Sequence, residues 1–160
     1  MLISRVKAVP TRPEYVDTLL RKGLRRADVL EVWRIGGESP ENALRTSVAG
    51  SEIGVTLLRD GEVVAVCGVC TFTKGLLSSP TGAPWLLACD EFESPDTAKS
   101  MARISRLFID HWHKVFGRLE NVADPLHGRS LRYLQWLGFT FDWDVPLYGP
   151  HGDRLVRFWR

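Results

Sequence analysis

The sequence predicts one α/β domain of the α+β kind, and three stretches carry that prediction. Asn121 to Asp144 reads as strand, short helix, sharp stop and strand. Ile53 to Leu58 and Glu62 to Thr73, rich in Val, Leu and Thr, flank Arg59-Asp60-Gly61, and an Asp-Gly pair between two such runs signals a β-hairpin. Between these lies a long amphipathic segment, Pro95 to Phe116, with Met101, Ile104, Phe108 and Val115 at helical spacing.

Composition sets the outer limits. A chain of 160 residues can bury about 70% of its unfolded surface in one domain without disulfide or metal staples. Its 44% hydrophobic and 25% charged residues are those of a folded soluble protein. A net charge of +2 gives no general pull toward nucleic acid or anionic lipid. Three cysteines do not make an even-numbered disulfide framework, and no charged-then-apolar leader opens the chain, so a reduced, intracellular setting is expected. No apolar run approaches the roughly 18 residues that span a bilayer.

The elements follow in order. Leu2 to Val9 alternates loosely as a first strand closed by Pro10. Thr11 is the expected cap of a helix with Pro13 in its first turn, Tyr15, Val16, Leu19 and Leu20 on its apolar face, and Gly23 as its stop. The nearby Arg21, Lys22, Arg25 and Arg26 suit a helix C-terminus better than a nucleic-acid patch. Asp28 is expected to cap a second short helix buried through Val29, Val32 and Trp33, stopped by Gly36 and Gly37. Ser39 caps a third, with Pro40 in its first turn. After the hairpin, Lys74 to Pro84 is expected as loop, and Trp85 to Cys89 as a central strand buried on both faces.

Asp90 to Asp96 holds four further acids or acid positions of interest: Asp90, Glu91, Glu93 and Asp96 stand directly before the long helix, with Ser94 as cap and Pro95 as first residue. Acids offset a helix's positive end and make it a poor phosphate site. Cys67 and Cys70 are three apart on a strand, hence on opposite faces, and His111 and His113 are about 200° apart on a helix. No metal site is expected from either pair. Leu131, Leu134 and Leu137 form the apolar stripe of the short helix, Gly138 ends it, and Phe139 to Val145 with Leu155 to Arg160 is expected as an antiparallel pair.

This order of elements, with Asn121-Val122-Ala123-Asp124 followed by Ser130 to Phe139 (SLRYLQWLGF), resembles the GNAT superfamily of N-acetyltransferases along essentially the whole chain. The resemblance implies a central mixed, mostly antiparallel sheet of six to seven strands flanked by helices on both faces. More narrowly, Ala83 to Leu87 and Tyr133 to Phe139 resemble small GNAT-like proteins of short-tailed bacteriophages and prophages, described as internal virion or head-assembly proteins.

Position by position, the resemblance implies a departure from catalysis. Family members carry an Arg/Gln-x-x-Gly-x-Gly/Ala loop that cradles the acetyl-CoA pyrophosphate, whereas Glu91 to Ser100 has no glycine and carries acids. The family's thiolate-protonating tyrosine falls on Leu134, with Tyr133 one residue off and expected to point elsewhere, and the family asparagine falls on His127. The expectation is therefore a non-enzymatic structural or assembly protein of a phage or prophage, with no cofactor and with portal, head or tail proteins, or itself, as partners. The alternative is an acetyl-CoA-dependent N-acetyltransferase with an altered donor loop. Under it Asp90 or Glu91 is the base, His127 the acid, and Ala98, Lys99 and Ser100 the donor site.

Overall fold

The computed structural model describes residues 5–72 and 80–160. Chain order is β1 (Val6–Pro10), α1 (Pro13–Lys22), α2 (Arg26–Gly36), α3 (Pro40–Gly50), β2 (Ser51–Arg59), β3 (Glu62–Phe72), β4 (Thr81–Ala88), α4 (Ala98–Phe116), β5 (Glu120–Ala123), α5 (Gly128–Trp136), β6 (Thr140–Tyr148) and β7 (Arg154–Trp159). A 3-10 turn, Asp90–Glu93, links β4 to α4. The expected first-strand residues 2–4 and the loop residues 74–79 lie outside the described residues.

Two sheets form. One is a four-stranded antiparallel ladder in the order β1-β2-β3-β4, and the other a three-stranded antiparallel ladder in the order β5-β7-β6. The hairpin joining β2 and β3 turns at Asp60 (φ 51°) and Gly61 (φ 82°), the paired left-handed conformation that a two-residue hairpin turn demands. Ser39 Oγ accepts from the Asn42 N–H at 3.2 Å and caps α3, as its position beside Pro40 implies. At the end of α5, Gly138 takes φ 93° and Phe139 N–H donates to Leu134 O at 3.1 Å, which turns the chain into β6.

Helices cover both faces of the first sheet. A Cβ at Gly68 would meet Ser51 Oγ and the Trp85 ring, and Ser51 Oγ in turn donates to Ser47 O of α3. A Cβ at Gly82 would meet Val69 and Phe116 of α4. Residues 68 and 69 are neighbours on β3 and face opposite ways, so α3 and α4 lie on opposite faces. The core joins Leu19, Leu44, Val64, Val66, Val69, Met101, Trp112, Leu119 and Val156.

Several local expectations are corrected. α1 is preceded by Arg12 as its cap residue, while Thr11 Oγ1 pairs with Thr56 Oγ1 at 3.0 Å. Asp28 does not cap α2. The helix starts two residues earlier, and Asp28 is buried inside it, because Arg25 and the Ala88 amide supply its partners. Trp33 is exposed and stacks on His151 at 4.3 Å. The loop expected up to Pro84 ends sooner, since Thr81 to Pro84 pair with β3. α4 begins at Ala98, after a turn in which Thr97 N–H donates to Ser94 O, and its buried stripe is Met101, Ser105, Ile109, Trp112 and Phe116. Val115 is exposed.

Candidate functional site

β4 and β5 touch at one rung. Gly82 and Leu119 form a single parallel bridge, with Gly82 N–H donating to Arg118 O at 3.0 Å. Two residues further along β4, the Asn121 side chain donates to Pro84 O at 2.9 Å, so a side-chain amide replaces the main-chain bond. Beyond it the described residues show no ladder between the two strands, and a gap opens that is flanked by Leu86 and Val122.

A cavity of about 660 Å³ fills that gap and reaches both faces of the sheet. Glu31, Val32 and Ile35 of α2 and Thr46 of α3 line one side. Met101 and Ser105 of α4 and Tyr133 and Leu134 of α5 line the other.

A charged network closes the end of the gap. Asp28 receives the Arg25 guanidinium through Nε at 2.9 Å and Nη2 at 2.8 Å, and the Ala88 N–H at 3.0 Å, with His127 Nε2 at 3.7 Å. Burial alone would raise the Asp28 carboxyl, yet His127, Arg25 and the Ala88 amide outweigh it and hold it below the usual carboxylate range. Arg25 also donates to Glu93 at 3.0 Å, and Glu93 accepts from Arg129 at 2.6 Å. Arg34 donates to Asp124 at 2.6 Å. Glu31 differs: among the described residues its Oε2 accepts the Asp124 N–H alone, at 3.0 Å, and burial pushes its carboxyl above the usual range, with Asp28 and Asp124 adding to the effect.

Across the gap, Tyr133 lines the cavity beside Leu134, where it was expected to point elsewhere. Its hydroxyl and Ser105 Oγ are both buried without a complete hydrogen bond. Burial pushes Tyr133 up to about 12, the nearby Ser105 working weakly in the other direction. Trp112 Nε1, from the same helix as Ser105, is likewise buried and unpaired.

The residues expected from sequence are scattered around this cavity. Ala98 lines it, while Lys99 is exposed and Ser100 half-buried in the first turn of α4. Asp90 and Glu91 are exposed on the 3-10 turn and outside the lining. His127 is buried beside Asp28, at the residue preceding α5, and also outside the lining. Cys89 is buried, and burial raises its thiol. Glu31 was missed, and Tyr133 was considered and set aside. Glu31 had a readable signal, because Asp28, Glu31, Val32 and Ile35 recur at the spacing of one inward helical stripe, where two acids are out of place.

The acids expected to repel phosphate are matched by cations. Glu91 lies 3.4 Å from Lys22 Nζ, Glu93 is held by Arg25 and Arg129, and Asp96 accepts from Arg59 at 2.7 Å with Arg5 at 3.9 Å. The sequence shows the acids as a cluster, but their partners come from α1, the segment before α2, α5, β2 and the residue before β1. Self-repulsion at the start of α4 is therefore largely cancelled.

No family model matches the chain, and no curated protein matches it. Solved structures do. An aminoglycoside N(6')acetyltransferase from Legionella pneumophila superposes with a TM-score of 0.71 at 8% identity, covering 99% of this chain and 93% of its own. A GCN5-related N-acetyltransferase from Kribbella flavida gives 0.70 at 12% identity, covering 98% and 97%. A ribosomal-protein-S5-alanine acetyltransferase from Vibrio fischeri gives 0.67 at 12%, covering 100% and 94%. The chain thus has the GNAT acetyltransferase fold from end to end.

These matches correct the expectation of a non-enzymatic phage assembly protein. The named structures that share the fold are described as acetyltransferases, and none as a virion or head component. Among the described residues, no helix is long and apolar enough to cross a membrane.

Proposed function

We propose that this chain is an N-acyltransferase that takes its acyl group from acetyl-CoA and passes it to an amine. The observation that carries the reading is the cavity of about 660 Å³ between β4 and β5, open to both faces of the sheet, so that two substrates can meet from opposite sides. The lining suits a thioester arm, with Leu86, Met101, Ala102 and Leu134 apolar and Ser105 Oγ, Trp112 Nε1 and Tyr133 Oη in need of polar partners. When bound, acetyl-CoA supplies an acyl carbon activated by its thiol leaving group.

Residues of the chain take the remaining parts. The amides of Ala98, Lys99 and Ser100 open α4 with no intrahelical acceptor, and Thr97 offers no side-chain cap, so they are the phosphate-facing groups. The acids beside them are paired with Lys22, Arg25, Arg59 and Arg129, which lessens their repulsion of a phosphate there. Tyr133 holds its proton at neutral pH, since burial keeps it near 12, and it donates that proton to the departing thiolate. It does from one helical position earlier what the family's tyrosine does from the position of Leu134. Asp90, Glu91 and His127 lie outside the lining, so taking up the amine's proton falls to a carboxylate inside it.

Calorimetry with acetyl-CoA tests the reading directly. Micromolar affinity, with release of free thiol when amines are added, is the expected result. Absence of binding at millimolar acetyl-CoA overturns it.

A further inference from the structure

We infer that the acceptor is a primary amine on an apolar body, entering from the α2–α3 side, with its ammonium received by Glu31. The inference rests on the acyl-transfer reading and names the substrate class that the same cavity takes.

The argument starts from charge matching. Asp28, Glu93 and Asp124 each face an arginine at 3.0 Å or less. Glu31 and Glu38, which line the cavity on the α2 side, make no ion pair among the described residues. At Glu31 burial works against the charge and Asp28 and Asp124 crowd it, while the Asp124 amide and His127 favour it. A carboxylate so placed is relieved either by a proton or by a cation brought from outside.

The surroundings select the cation. The walls on this side are mainly apolar, with Val32, Ile35, Ala43 and Leu86, while Glu38, Thr46 and Ser47 are the polar groups beside Glu31, and this mixture suits an apolar body carrying one ammonium. An independent observation on the opposite face points to a ligand with polar atoms at depth: Trp112 Nε1 is buried in the cavity lining with no hydrogen-bond partner among the described residues, and Ser105 Oγ is buried there beside the Tyr133 hydroxyl. The chemistry then balances. Glu31 takes one proton from the ammonium, the freed nitrogen lone pair forms the new C–N bond as the C–S bond breaks, and the thiolate receives the Tyr133 proton. The second nitrogen proton leaves to solvent as the amide forms, and the proton held by Glu31 returns through solvent to the Tyr133 phenolate, so both groups end as they began with one proton released overall.

Phenethylamine and its uncharged isostere 2-phenylethanol distinguish this from generic apolar binding. With the intact chain at pH 7, and without acetyl-CoA, calorimetry or ligand-observed NMR is expected to show the amine at least tenfold tighter than the alcohol. Glu31→Gln is expected to erase that difference while remaining folded by circular dichroism. Equal affinity for the two compounds, failure of both to bind, or an unchanged preference in E31Q overturns the inference. Acetyl-CoA binding is measured separately, so a failed donor reading with an intact amine preference is told apart from the reverse.

Discussion

Asp28 offers the sharpest test of how the site is held together. Replacing it with alanine removes one of the two carboxylates that hold the Arg25 guanidinium among the described residues and takes away the acceptor of the buried Ala88 N–H. Breaking one side of a buried ion pair costs about 3–5 kcal/mol, and the abandoned amide about 1–3 kcal/mol, the two overlapping because one carboxylate serves both. For a chain of this size each kcal/mol moves the melting temperature by about 2–4 °C, so Asp28→Ala should melt about 6–20 °C lower. Its pH dependence has a definite sign. The folded Asp28 carboxyl titrates below its ordinary 3.8, so its contribution is full above that value and is lost as pH falls through the lower folded one. The advantage of wild type over Asp28→Asn should accordingly hold from pH 7 down to about 4 and shrink below it. Thermal melts by circular dichroism read both quantities. A loss under 2 °C for Asp28→Ala, or a wild-type advantage over Asp28→Asn that grows on acidification, would refute the assignment of this carboxylate as the linchpin of the network.

Glu31→Gln should do the opposite to stability. The Glu31 carboxyl is raised above 4.5, so its linked stability is full below that value and lost as pH rises through the folded one. The glutamine variant should therefore melt higher than wild type at pH 7 and not at pH 4, and a lower melting point at pH 7 would sink the idea. Tyr133→Phe should lower kcat at least tenfold with acetyl-CoA affinity unchanged, whereas equal losses in binding and turnover would mean the ring only packs. Gly82→Ala drives a methyl to 2.8 Å from Val69 Cγ2 and 2.9 Å from the Phe116 ring, so urea unfolding should show about 1–3 kcal/mol of lost stability.

Features written in local chemistry were legible. Ser39 with Pro40, Asp60 with Gly61, and Leu137-Gly138-Phe139 each specify a backbone conformation within four residues, and each is found where the sequence puts it. What failed depends on partners far along the chain. Asp28 was read as a cap because one of its buried partners, the Ala88 amide, lies 60 positions along the chain and is brought to it by the tertiary fold. Trp33 was read as core because its stripe on α2 looks apolar, yet its partner is His151 on the far end of the chain. The acids before α4 looked repulsive because their counter-charges come from five separate segments. That β7 lies between β5 and β6 was also invisible, since hydrophobic alternation marks a strand without naming its neighbours.

The opening between β4 and β5 is built by main chain parting company, with Gly82 and Leu119 as its pivot and Asn121 as its brace. Such an aperture owes its existence to strand trajectory, and few particular side chains are needed to keep it from zipping shut. Its surroundings can consequently drift a long way while the doorway survives, a latitude in keeping with solved structures that agree with this chain at only 8–12% of aligned positions and yet share its fold over nearly their whole lengths.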